Sequence, residues 1–314
     1  MKNISLVLGV VFCLLFLGCN SGKTGDKYTD TPTTGEVSIA VDETFQRIIE
    51  AELPVFHSIY RYAKITPKYL PENEALKMLL HDSVRLAIVS RPLNANEINY
   101  FHSKKFFPKE VPVAIDGIAV LVNPSNPDTL FSIKQLRKIM LGEITDWKQI
   151  NPESKAGKIK VVFDNPNSST VRFIVDSITK TGDLGNQLSA MSYTLDVVDF
   201  ISNNPNAIGL IGVSWISDSR DPKSLSFLNK IKVAGISSAE VATSDNSYQP
   251  FQAYIATGKY PLTRFIYMIL SEPRAGLGSG FTSFVASDKG QRIILKTGIL
   301  PYTQTVRIVN VKEE

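Results

Sequence analysis

The sequence predicts an α/β protein folded as two lobes with a ligand cleft between them. Three observations carry this. Apolar β-branched runs alternate with segments of helical period, one run is long enough to pass from one sheet into a second, and hydroxyl-bearing or charged residues gather where the strands end.

In chain order, residues 37–41 read as a strand, followed by a 3.6-period segment at 44–60. Residues 64–69 and then 72–81, and residues 85–90 and then 94–103, repeat the pairing, which is the grammar of a parallel sheet covered by helices. The run at 111–122 is interrupted only by Asp116-Gly117 and is bounded by Asn123-Pro124-Ser125-Asn126-Pro127, so it reads as one strand crossing into the second lobe. A second series of helices and strands fills about 132–235. The apolar run 261–270 carries the chain back, Gly276–Gly280 reads as a flexible loop, and 281–297 reads as a final amphipathic helix ended by Gly298. These boundaries assign 36–118 with 262–314 to the first lobe and 119–261 to the second.

The N-terminus reads as an export signal. One Lys, an apolar run over residues 4–17 and Gly18-Cys19 form a signal peptide (1–18) with a lipobox-like end, too short for a comfortable membrane span. Phe16 departs from the usual Leu of a lipobox. The mature chain is expected to begin at a lipidated Cys19, with 19–35 as a flexible tether rich in Gly, Ser, Thr, Asp and Lys. The protein is thus expected to be an exported bacterial lipoprotein with a periplasm-facing anchor. Cys13 and Cys19 are the only cysteines, so the exported domain has no disulfide and relies on a core, for which 43% hydrophobic residues suffice. A net charge of +4 with dispersed Lys and Arg gives no basic stripe for nucleic acid.

In open α/β sheets ligands lie beyond the carboxyl ends of strands. Four such places deliver suitable groups here. Asp42, Glu43, Thr44 and Phe45 follow the first strand; Ser90 and Arg91 follow the third; Asp116 interrupts the crossing strand, where a bare carboxylate is costly unless satisfied; and Ser168-Ser169-Thr170, with Arg172 just beyond, opens a helix after the apolar run 160–163. Together they make the donors and hydroxyls of a buried oxyanion site, with Asp116 as its acid.

Several longer segments then carry a family likeness. Residues 116–127 (DGIAVLVNPSNP), 133–147 (IKQLRKIMLGEITDW), 206–212 (NAIGLIG), 260–264 (YPLTR) and the stretch from Phe284 to Pro301 occur in one order across most of 36–302. On these, the chain resembles the periplasmic phosphate-binding proteins of high-affinity phosphate ABC importers, within the type II periplasmic binding proteins. The resemblance implies two lobes, each a mixed sheet flanked by helices. It places Thr44, Phe45 and Ser90 as hydroxyl and amide donors, Asp116 as the carboxylate that accepts a ligand proton, and Ser168, Ser169 and Thr170 on the family's Ser-Gly-Thr turn. The chain departs where the family has an Arg four residues before that turn, here Asp164, and at the family's middle Gly, here Ser169. Arg91, with Arg172 second, is expected to supply the missing guanidinium. The implied partners are inorganic phosphate or a similar oxyanion, an ABC permease in the inner membrane, and the membrane through the N-terminal lipid, with a monomeric chain and no cofactor. An alternative keeps the fold as a non-transport sensor or scavenging lipoprotein with an altered or lost anion site. Catalysis is disfavoured: Gly212-Val-Ser214-Trp-Ile216 fails the Gly-x-Ser-x-Gly elbow, His57, His81 and His102 show no catalytic spacing, and no metal-binding motif occurs.

Overall fold

A computed structural model describes residues 30–182, 184–218 and 221–304. The signal segment, Cys19 and most of the tether lie outside the described residues. In chain order the elements are β1 (Gly35–Asp42), α1 (Gln46–Ile59), β2 (Ala63–Leu70), α2 (Glu72–Leu80), β3 (Leu86–Val89), α3 (Ala95–Ser103), β4 (Lys109–Val122), β5 (Leu130–Ser132), α4 (Ile133–Leu141), β6 (Lys160–Phe163) and α5 (Ser169–Phe173). Then follow β7 (Leu188–Ala190), α6 (Thr194–Asn203), β8 (Ala207–Gly212), α7 (Pro222–Leu228), β9 (Lys232–Val233), β10 (Gly235–Ser237), α8 (Gln252–Ala256), β11 (Thr263–Leu270), α9 (Leu277–Ala286), α10 (Asp288–Lys296) and β12 (Leu300–Pro301).

A curled mixed sheet runs β2-β1-β3-β11-β4-β8-β6-β7, with β12 and β9 also paired to β4. β1 is parallel to β2 and β3, and β6 is parallel to β7 and β8, as expected for strands joined by helices. β4 is the spine. Its first half pairs antiparallel with β11 and β12, and its second half, from Ile118 onward, with β8 and β9. One strand therefore belongs to two lobes, which is why its sequence is a single long apolar run. Side chains alternate across it: Ile118, Val120 and Val122 pack with Phe131, Leu136, Ile139 and Trp147, while Ala119 and Leu121 pack with Val197, Val198 and Ile201. In the first lobe Ile39, Val41, Phe56, Phe281, Phe284 and Ile294 fill one face, and Ala40, Leu76, Leu79, Val89 and Phe101 the other.

Two sequence expectations change near the C-terminus. The final helix is two helices, because Ser287 adopts an extended conformation and its hydroxyl bonds back to the carbonyl of Phe284. A Cβ on Gly290 would lie 2.4 Å from the carbonyl oxygen of Val285, so the tight junction needs glycine there. The Gly276–Gly280 stretch is not a loop but the start of α9. The Glu272 carboxylate accepts from the amides of Gly276, Gly278 and Ser279, replacing the partners that a helix start lacks.

One core residue breaks the apolar pattern of α1. Glu52 is fully buried, neither carboxyl oxygen has a hydrogen-bond partner, and burial pushes its pKa up to about 9. A carboxyl whose folded pKa is raised loses stability as pH rises from the unfolded value near 4.5 to the folded one, by about 1.4 kcal/mol per pH unit. Replacing it with Leu should therefore raise the melting temperature more at pH 8 than at pH 5, the gain growing by about 4 kcal/mol between the two. Thermal melts at the two pH values check this, and an equal or negative shift at both contradicts it.

Candidate functional site

The carboxyl ends of β1, β3, β6 and β8 open onto one seam between the lobes, met by the middle of β4 and the start of β11. At the end of β1, Asp42 caps a 3-10 turn (Glu43–Phe45), its Oδ1 accepting from the Thr44 amide at 3.0 Å. This turn aims the Thr44 hydroxyl across the seam, where it shares a hydrogen bond with the Ser169 hydroxyl at 3.3 Å. The Thr44 carbonyl accepts from the Ser214 hydroxyl at 2.7 Å, a second bond between the lobes.

Ser169 belongs to the Ser168-Ser169-Thr170 turn after β6. Ser168 is an N-cap that accepts from the Val171 amide at 3.3 Å, and all three residues are buried. The helix it opens is short: α5 gives way after Phe173 to wider, π-type turns over Ile174–Thr179.

The cation of the seam is Arg264, which sequence reasoning did not single out. It stands at the second position of β11, in register with Asp116 on β4, and is 5% exposed. Its Nε and Nη2 donate to Asp116 Oδ2 at 3.0 and 2.9 Å, while Nη1 donates to Ser169 Oγ at 2.8 Å. The guanidinium carbon lies 5.1 Å from the Phe45 ring centroid, so the aromatic face backs the charge. Asp116 and Arg264 are 148 residues apart. The available signals were its place in the family-like segment 260–264 and a charge near the start of an apolar run, and only the strand register shows what it faces.

Arg91 lies elsewhere. Its two terminal nitrogens are held by both oxygens of Glu97 at 2.7 Å each, a two-pronged ion pair anchored to the N-terminal turn of α3. Arg172 is also engaged: its Nε bonds Glu72, Nη1 bonds Asp176 at 2.9 Å, and Nη2 bonds the Ser90 hydroxyl at 2.7 Å. Ser90 in turn gives its amide and hydroxyl to Glu72 Oε1 at 2.8 and 2.7 Å. Ser90, Glu72 and Arg172 therefore form an ion-pair latch across the lobes, and neither expected cation points at the Ser169 turn. Arg264 faces the Ser169 turn, while a carboxylate six residues downstream pairs with Arg91 locally.

Acids crowd the same seam. Burial raises Asp42 to about 7, reinforced by the charge of Glu72 and opposed by Arg264. Burial raises Asp164 to about 6, with the Ser168 hydroxyl, Arg264 and the Thr170 hydroxyl opposing. Burial also raises Asp116 despite its bonds to Arg264. Glu43 is pushed to about 7 by burial and by the charges of Asp164 and Asp42. No group of three or more metal-ligating side chains occurs among the described residues, and no described helix is long and apolar enough to cross a membrane.

A family model described as a PBP superfamily domain matches residues 26–289. The phosphate-binding protein PstS of Staphylococcus saprophyticus is 24% identical over 283 residues, covering 88% of this chain and 83% of that protein. Among solved structures, a Clostridium perfringens protein assigned as a phosphate ABC transporter substrate-binding protein, with phosphate bound, superposes with a TM-score of 0.72 at 21% identity. It covers 86% of this chain and 100% of that one. An ABC-type phosphate transport receptor from Vibrio cholerae gives 0.64 at 20% identity, covering 85% and 100%. At these identities the structures establish a shared fold, in which the relatives are two-lobed.

Gly212 closes the seam. A Cβ there would lie 2.3 Å from the Thr44 methyl and 3.1 Å from Arg264 Nη2, although the Gly212 backbone itself is ordinary extended chain. Gly212→Ala should hold the lobes apart and lower affinity for an anion bound between them by about tenfold or more. Titration with inorganic phosphate checks this, and wild-type affinity contradicts it.

Proposed function

The chain belongs to the PBP superfamily, and from that premise we propose that it is a solute-binding protein that captures inorganic phosphate, or a closely related tetrahedral oxyanion, between its lobes and delivers it to an ABC permease. The observation that carries this is Arg264. A buried guanidinium, oriented from behind by Asp116 and backed by Phe45, presents Nη1 to the Ser169 hydroxyl of the opposite lobe, beside Ser168 and Thr170 and facing Thr44 of its own lobe. Such an array binds by charge-assisted hydrogen bonds, so its chemistry is recognition.

The binding set is Thr44, Phe45, Asp116, Ser168, Ser169 and Thr170 with Arg264 in place of Arg91, while Ser90 and Arg172 act in the latch. In this reading residues 36–118 with 262–314 form one lobe and 119–261 the other, hinged where β4 changes partners. Closure joins the Thr44 turn, the Ser169 turn and the Glu72–Arg172 latch around the ligand, and the closed form is what the permease engages. The relatives' role supports an extracytoplasmic setting. The signal-like N-terminus supports a lipid on Cys19 and a monomer tethered to the membrane; mass spectrometry of the native N-terminus should find that lipid, and an unmodified terminus downstream of Cys19 contradicts it.

Charge-assisted bonds to a bound anion are worth about 1.5–3 kcal/mol. Arg264→Ala should therefore weaken phosphate binding by more than about tenfold. Arg91→Ala should leave it within about twofold of wild type, since that side chain is committed to Glu97. Isothermal titration of folded variants checks both, and the reverse ranking overturns the assignment.

A further inference from the structure

Three carboxylates surround Arg264, and each keeps one buried oxygen without a hydrogen-bond partner: Asp42 Oδ2, Asp116 Oδ1 and Asp164 Oδ1. All three side chains are 0–1% exposed, and the charge of the same guanidinium acts on each of them. Asp116 is the acid on the spine strand. Asp42 and Asp164 are additional, one at the end of a strand in each lobe, flanking the hydroxyls of Thr44, Ser168, Ser169 and Thr170.

The charges that face this group come from every element packed on it. Asp42 and Glu43 come from the end of β1 and its turn, Glu72 from α2, Asp116 from β4, Asp164 from the end of β6, Arg172 from α5 and Arg264 from β11. The phenol of Tyr260 adjoins Asp116. Arg172 is already matched by Glu72, leaving one guanidinium against Asp42, Asp116, Asp164 and the half-buried Glu43. If these acids were all ionised, they would repel a dianion and leave buried acceptors unpaired, both of which cost free energy. A ligand that brings hydrogens relieves both difficulties. So do carboxyl groups that bind protons, which their burial favours.

We propose that Asp42 and Asp164 contact the ligand and determine specificity, selecting an oxyanion acid by its hydrogens, so that phosphate is held with hydrogens shared between its oxygens and these two carboxyl groups as well as Asp116. This rests on the oxyanion reading above and adds the protonation state of the complex. At pH 8 free phosphate is mainly the dianion with a single hydrogen, and the complex holds more hydrogens than its separated parts. Each binding event therefore takes protons from solvent, and they end between a carboxyl oxygen and a phosphate oxygen with no other bond made or broken. Affinity strengthens as pH falls, the sign required when the bound state holds more protons than the free partners.

The test is isothermal titration of inorganic phosphate into the protein at pH 6, 7 and 8, with the pH 8 titration repeated in two buffers of different ionisation enthalpy. The wild type should bind about tenfold more tightly at pH 7 than at pH 8, with a buffer-dependent heat that reports net proton uptake. Asp42→Asn and Asp164→Asn should each flatten the pH dependence and reduce the uptake. If one variant does not fold, the other variant and the wild-type heats decide. Phosphate binding with flat pH dependence and no proton uptake, or variants that keep the wild-type uptake, overturns the inference and leaves the oxyanion reading standing. No phosphate binding at any of the three pH values overturns the oxyanion reading, and this inference with it.

Discussion

The buried pair between Arg264 and Asp116 is the constraint on which the rest of the site depends. Two ions held 2.9 Å apart at 3% and 0% side-chain exposure gain strong attraction but forfeit hydration, so such a pair is weak evidence for stability in itself. Its geometry explains its presence. Asp116 uses one oxygen to accept from two nitrogens along one edge of the guanidinium and so fixes the plane in which the remaining donors point. The pair exists because β11 returns antiparallel to β4 with Arg264 opposite Asp116, at the point where β4 passes from one lobe to the other. Backbone register thus puts a fixed positive charge where β4 changes partners, without a loop to hold it.

From that point the two lobes are joined by side chains with short reach. Thr44 meets Ser169, Ser214 meets the Thr44 carbonyl, and Gly212 leaves just the room those contacts need. A second set, Glu72 with Ser90 and Arg172, fastens the seam beside them. These contacts are few and polar, and they lie at the ends of strands anchored in apolar layers. The strands pack in apolar layers and the polar contacts between the lobes are confined to the seam, an arrangement that suits the proposed hinge closure.

Much of this was legible in residue order. Strand runs, the crossing segment and the helices of the first lobe fall within a few residues of their expected places, because alternation and period report burial directly. Thr44, Asp116 and the Ser168–Thr170 turn were visible as chemically suitable residues at strand ends. Arg264 was not, since its partner lies across a strand pairing that no local pattern encodes. Arg91 shows the opposite case: it sits at a strand end, but Glu97, a member of the capping box of α3, pairs with it locally. The division of the last helix at Ser287 and the capping of α9 by Glu272 likewise depend on single hydrogen bonds that composition does not distinguish from a loop.

The most direct measurement of the central claim is a crystal structure of the protein grown with inorganic phosphate. The account predicts one phosphate enclosed between the lobes, bonded to Arg264 Nη1 and to hydroxyls of both the Thr44 and Ser169 turns, with Arg91 still paired to Glu97. Phosphate bound at Arg91, or a closed seam in which Arg264 touches no ligand, would contradict it.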